Sequence, residues 1–159
     1  MSHDPYLTSA ENLEKLKARL RQIREVDRPQ NVRDIEEARA HGDLRENAEY
    51  HAAKERQGLL DAELRITEDK IARAKVIDTS NLSGDRIVFG ARVTLINSDT
   101  DEEVVYAIVG EDEADAKSGR VSYKAPIAKA LLGKKVGDEV VFNAPGGART
   151  FEVTDIAFD

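Results

Sequence analysis

The chain holds 159 residues, enough for one ordinary domain or two small ones with a buried core of their own. It has no cysteine, which excludes disulfides and thiolate metal sites, and its formal net charge of −7 argues against broad binding to phosphate backbones, which needs surplus Lys and Arg. The opening Met1-Ser2-His3-Asp4-Pro5 lacks a basic segment leading into an apolar run, and no stretch approaches the roughly 18 apolar residues of a membrane span, so the expectation is a cytoplasmic protein with a protein partner.

A helix is expected to open at Tyr6-Leu7-Thr8-Ser9-Ala10-Glu11, where Thr8 can cap the backbone and Glu11 can reach back to complete a capping box. Leu13, Leu16, Leu20 and Ile23 recur at spacings of three, four and three, a narrow coiled-coil seam, while Glu14, Lys17, Arg21 and Arg24 face elsewhere. Pro29 has no N–H and disfavours the α conformation at Arg28, so a kink or short break is predicted at Asp27 to Pro29 before the helix resumes through Ile35 and Ala38. His41-Gly42 should end it, with glycine supplying the left-handed residue that closes many helices.

A second helix is expected almost at once. Ala53, Gln57, Leu60, Leu64, Thr67, Ile71 and Ala74 alternate spacings of four and three, giving a second seam with two polar members. Two seams joined by so short a turn fold back into an antiparallel hairpin. At 1.5 Å per residue, an arm of about 30 residues spans roughly 45 Å and would hold the turn well away from a globular body.

From Ile77 the composition changes. Asp78 to Asp85 is rich in turn formers, and β-branched residues and glycines dominate afterwards, which divides the chain into domains at 1–78 and 79–159. The first carries 15 basic and 17 acidic side chains and the second 9 and 14, so the N-terminal half retains room for local basic patches. Ala91, Val93 and Leu95 alternate with Arg92, Thr94 and Ile96; Val104 to Val109 and Asp138 to Phe142 are further strand-like runs, with a turn at Ser98 to Asp101. Pro145-Gly146-Gly147 should join the last pair, and Pro126 to Leu132 reads as one short helix with Gly133 just past its end. The expected class is α+β: a long antiparallel helical hairpin, then a small antiparallel sheet with one short helix.

Chemistry concentrates at the hairpin turn. Asp43-x-x-Glu46 reads first as an Asp-led capping box, since carboxylates suit the positive end of a helix dipole. The same pair on an exposed turn can also reach into another molecule and hold a hard cation. Magnesium wants six oxygens, so two carboxylates in open solvent hold it poorly and a partner must complete the site. With a partner's carboxylates and a phosphate, the pair could position a second metal and its attacking water for phosphodiester hydrolysis. His41 and His51 flank the turn, but without cysteine or a third nearby histidine they read as solvent-facing or capping groups, and His3 as part of a frayed terminus. The serines lack an activating motif, and the glycine-containing segments Gly84 to Gly90 and Pro145 to Gly147 lack the context of a phosphate loop.

The run Ala40-His41-Gly42-Asp43-Leu44-Arg45-Glu46-Asn47-Ala48-Glu49-Tyr50-His51-Ala52-Ala53 closely resembles the tip of the Gre transcript cleavage factors of bacterial RNA polymerase. The similarity continues through Ala74 to Asp78, Phe89 to Val93, Tyr106 to Gly110, Asp112 to Asp115, Pro126 to Ala128 and Pro145 to Gly147. It implies an N-terminal coiled coil that enters the polymerase's secondary channel and a C-terminal domain of FKBP-like fold that docks at the channel entrance. Asp43 and Glu46 match the two acidic residues that help bind a second catalytic Mg2+ inside the polymerase and stimulate cleavage of extruded 3′ RNA in backtracked complexes. The chain would then be no enzyme on its own. Its only cofactor would be Mg2+ shared with the polymerase, and its partners RNA polymerase, the nascent RNA 3′ end and DNA within the elongation complex.

The resemblance also matches Arg39 and Lys54 to a small basic patch that contacts RNA, beside Arg45, with ordinary solvated charge as the alternative. Tyr50 could stack on a base or pack across the seam. Pro126 and Ile127 match a polymerase-docking segment, although Ala125 stands where the family usually has serine; the alternative is helix initiation. The acidic balance and the Pro126 and Pro145 segments look more like the GreA type than the more basic GreB type. Two other functions stay open: a channel-occupying inhibitor that does not promote cleavage, and a prolyl isomerase using Phe89, Tyr106, Tyr123, Phe142, Phe151 and Phe158. The free protein is expected to be a monomer.

Overall fold

The computed structural model describes residues 4–43, 47–78 and 84–158. Its contacts divide the chain into two units, one made of the residues up to Tyr6 with Leu13–Ala74, the other of Leu7–Asn12 with Lys75–Asp159. This differs from a simple division after residue 78, because a short N-terminal segment belongs with the C-terminal unit. The reason is local bonding. The Ser9 N–H and hydroxyl both donate to the Glu113 carboxylate, at 3.2 and 3.0 Å, and the Ile77 N–H donates to the Thr8 carbonyl at 2.9 Å. Gly110 lets the backbones approach, since a Cβ there would lie 2.9 Å from the Leu7 carbonyl oxygen.

Tyr6–Thr8 is a strand (β1), not the start of a helix, and it pairs with β2 (Ala74–Val76). The β-branched Thr8 is fully buried, and its Oγ1 accepts from the Asn12 side-chain amide at 2.9 Å. Ser9 therefore takes the cap of α1 (Ala10–Gln22), its Oγ accepting from the Asn12 N–H at 3.1 Å. This shifts the capping position by one and moves the third helical residue from Glu11 to Asn12.

At Pro29 the helix does not break. Ile23–Asp27 forms a π-helical turn that runs directly into α2 (Arg28–Arg39), with the Arg28 N–H donating to the Ile23 carbonyl five residues back. The wider turn accommodates a ring that would otherwise press on the carbonyl four residues earlier. It also inserts one residue into the seven-residue repeat. Ile23 is fully buried, and the next buried seam position is Asn31, eight residues on, followed by Ile35 and Ala38.

The returning arm is α3 (Ala48–Arg73), 26 residues or about 39 Å long. Its buried positions Ala53, Leu60 and Thr67 and half-buried Gln57, Leu64 and Ile71 fall on the predicted seam. Asn31 was not singled out in the sequence, yet its side-chain amide donates to the Ala53 carbonyl at 2.9 Å inside that seam. Arg19 grips Glu63 with two guanidinium hydrogen bonds, at 2.8 and 2.7 Å, and bonds Asp27 on the π turn at 2.8 Å. Arg24–Glu68 at 2.5 Å and Arg28–Asp61 at 3.5 Å add further pairs across the arms.

In the C-terminal unit, β3 (Arg92–Asn97), β4 (Glu103–Val109), β5 (Arg120–Ser122), β6 (Glu139–Ala144) and β7 (Gly147–Ala157) form one sheet in the order β5-β4-β3-β7-β6. Pro145-Gly146 closes the β6–β7 hairpin as expected, with Ala144 opposite Gly147. The sheet is not wholly antiparallel: β5, too short to stand out in the sequence, lies parallel to β4. The helix α4 (Pro126–Leu131) buries Ala128 and Leu131 against Ile87, Val93, Leu95, Ile108, Val140 and Val153. Among the described residues, no helix is long and apolar enough to cross a membrane.

Two stability predictions follow from the seam. Replacing Asn31 by Ala removes a buried hydrogen bond and leaves a small void, and should cost about 1–3 kcal/mol in a denaturant titration followed by helix dichroism. The Glu63 carboxyl is held below the ordinary carboxylate range, chiefly by its hydrogen bonds from Arg19. Its contribution is thus complete above the unfolded carboxylate pKa and fades as pH falls through the lowered folded value. Because both partners are well exposed, Glu63→Gln should cost no more than about 1 kcal/mol at neutral pH, and this difference from wild type should vanish in strong acid and shrink in high salt.

Candidate functional site

The tip begins where α2 runs out of intrahelical partners. Beyond Arg39, the His41 N–H donates to the Ala38 carbonyl at 3.1 Å and the Gly42 N–H to the Arg39 carbonyl at 3.4 Å. Gly42 has φ +114° with open space around it, so backbone conformation, not crowding, makes this a glycine position. Asp43 follows it, exposed to solvent. Arg45 and Glu46 lie outside the described residues.

Asn47, in an extended conformation at φ −88° and ψ 95°, is the N-cap of α3, and its Oδ1 accepts from the Tyr50 N–H at 3.0 Å. The Asp43/Glu46 capping box expected from the spacing needs Glu46 and so lies outside the described residues. The amide nitrogen of the same Asn47 side chain donates to the Ala38 carbonyl at 2.5 Å, joining the end of one arm to the start of the other. An asparagine directly before a helix-forming run was a readable cap signal.

Other side chains close around this turn. The His41 Nδ1 lies 3.1 Å from a Glu49 carboxylate oxygen, so the histidine joins the turn to the first helical turn of α3. Tyr50 is half-buried beneath the Arg39 guanidinium, 5.9 Å above the ring centre, and meets His51 edge-on; this is the packing role. Lys54 is exposed and donates to the Gln57 side chain at 2.8 Å. His41, Asp43, Asn47, Ala48 and Glu49 line one open depression. Arg39, Asp43, Tyr50 and Lys54 therefore all belong to the tip-proximal part of the hairpin.

Pro126 and Ile127 belong to the other unit. Pro126 is exposed at the start of α4, while Ile127 is half-buried against the sheet core, as helix initiation requires. The aromatic residues that could wall a prolyl pocket are similarly committed. Phe151 is in the core, Tyr106, Tyr123, Phe142 and Phe158 pack on it, and Phe89 meets Tyr123 edge-on.

Chemically, the tip offers oxygen donors suited to a hard cation and basic groups suited to an anion. Among the described residues, which do not include Glu46, no group of three or more His, Cys, Asp or Glu could hold a metal ion. Calorimetric titration of the isolated protein with Mg2+ should show no saturable binding below about 1 mM; a tight site would contradict this description.

The chain matches two parts of one family: "Transcription elongation factor, N-terminal" over residues 6–76 and "Transcription elongation factor, GreA/GreB, C-term" over residues 82–158. A curated relative from Brucella anthropi, named transcription elongation factor GreA, is 57% identical over 145 residues, 91% of this chain and 92% of that protein. Another of that name, from Phenylobacterium zucineum, is 53% identical over 148 residues, covering 93% of this chain and 94% of its own. The solved GreA factor homolog 1 of Thermus thermophilus is 26% identical, covers 96% of this chain and 99% of its own, and superposes with a TM-score of 0.44.

Proposed function

The chain belongs to the GreA/GreB family of transcription elongation factors, and from that premise we propose that it stimulates RNA polymerase to cleave the 3′ end of its own transcript. The observation that carries this reading is an exposed Asp43 on the turn of a long hairpin whose helix cap is already supplied by Asn47. Exposed on the turn, the Asp43 carboxylate is within reach of a partner.

In this reading the hairpin enters the polymerase's secondary channel and brings Asp43 and Glu46 to its active site. There Asp43 and Glu46 would add oxygen donors toward a Mg2+ shared with the polymerase, which would supply a water activated for attack on the phosphodiester. Arg39 and Lys54, with Arg45, present positive charge to the extruded RNA, while Tyr50 holds Arg39 in place. The chain does not catalyse alone; a backtracked transcript is trimmed to a new 3′ end and elongation resumes.

The test is a stalled, backtracked elongation complex incubated with wild type, Asp43→Asn or Glu46→Gln. Wild type should accelerate 3′ cleavage, and each variant should lower the maximal rate by roughly a hundredfold, the usual scale for removing one group that stabilises developing charge. Normal cleavage by both variants would refute the ligand assignment; inhibition by wild type without cleavage would favour a channel-occupying inhibitor.

A further inference from the structure

The hydrogen bonds at the hairpin turn assign Asn47 a task beyond capping. A helix leaves its first N–H groups and last C=O groups without intrahelical partners. The Asn47 side chain meets one group at each end: its oxygen accepts from Tyr50 N–H at the start of α3, and its nitrogen is a second donor to the Ala38 carbonyl, nine residues back on α2, which also accepts from the His41 N–H. The orientation of the amide is fixed by chemistry, since only its oxygen can accept from an N–H and only its nitrogen can donate to a carbonyl.

We propose that Asn47 is a positioning residue that clamps the two arms together and thereby fixes the stance of Asp43. This rests on the reading of Asp43 as a metal ligand in the polymerase. The clamp joins the end of α2 to the start of α3, and Asp43 lies between its two anchors in the sequence. Arrangement of this kind matters because a displacement of about 1 Å at a reacting centre can cost on the order of a hundredfold in rate. Asparagine suits the task where other capping residues do not. Aspartate caps a helix as well but has no hydrogen to give, and serine has a single oxygen to serve two backbone groups. The His41–Glu49 contact crosses the same turn, but between exposed side chains, and is the weaker tie.

Asn47→Asp and Asn47→Ser separate the two tasks, because both keep the cap and remove the bridge, one with added charge and one without. Wild type and both variants are compared by thermal melting and by cleavage in backtracked complexes across a range of factor concentrations. The expected result is a melting temperature close to wild type, a half-saturating concentration within about twofold, and a maximal cleavage rate lowered about tenfold. Wild-type maximal rates in both variants would overturn the proposal. So would a loss expressed only as a higher half-saturating concentration, or one that merely tracks a fall in melting temperature, since Asn47 would then be structural. An inert wild-type protein would instead sink the reading of Asp43 and Glu46.

Discussion

Between the two arms of the hairpin, the Asn31 amide meets the Ala53 carbonyl in a seam otherwise lined by leucine, isoleucine, alanine, threonine and the half-buried Gln57. Apolar side chains of similar size pack almost as well one heptad away, so such a seam stabilises the pairing without specifying its register. A buried amide is satisfied only where a carbonyl is waiting, and a slip would strand it at a cost of about 1–3 kcal/mol. Arg19 adds a second, more polar constraint by holding Glu63 on one arm and Asp27 on the π turn of the other. The meeting of Ala38 and Asn47 at the tip depends on this pairing, because a shift of either arm would separate them.

The π turn is the reason such a register can exist with a proline in the arm. A helix with a strict seven-residue repeat would bring a different set of side chains to the seam after Ile23, and Asn31, Ile35 and Ala38 would rotate away from α3. The one-residue insertion restores them to the interface. Pro29 and the shifted buried positions are therefore two signs of one adjustment, in which the helix widens locally instead of breaking.

Much of this was legible in the sequence, for physical reasons that also mark where legibility ended. The seam of α3 was visible because its period is regular over 26 residues, and the β6–β7 hairpin because Pro145-Gly146 is a strong turn signal. Of the kink or short break expected at Pro29, the break is absent, because a proline gives the same local signal whether a helix breaks or inserts a π turn. Thr8 and Ser9 both cap well, and only the pairing of β1 with β2 decides that Thr8 belongs to a strand. The short β5 has no period to read, and its parallel pairing with β4 comes from tertiary context. Asp43 and Glu46 stood out by spacing and by resemblance. Asn47 did not, since its second hydrogen bond depends on a carbonyl that only the folded hairpin brings near.

Charge is distributed along the hairpin in a way that fits the task assigned to its tip. Away from the turn, arginines face carboxylates: Arg19 with Glu63, Arg24 with Glu68, Arg28 with Asp61 and Arg73 with Asp69. Each such pair stabilises the arms modestly and leaves little net positive field around it. Nearer the turn the pairing changes. Arg39 lies over the ring of Tyr50 and Lys54 donates to the neutral Gln57 amide, so among the described residues neither positive charge is cancelled by a carboxylate partner. An acidic protein can in this way present local positive charge to a polyanion without binding nucleic acid generally. Its net charge of −7 discourages encounters with free RNA and DNA, while Arg39 and Lys54 leave local positive charge near the exposed Asp43.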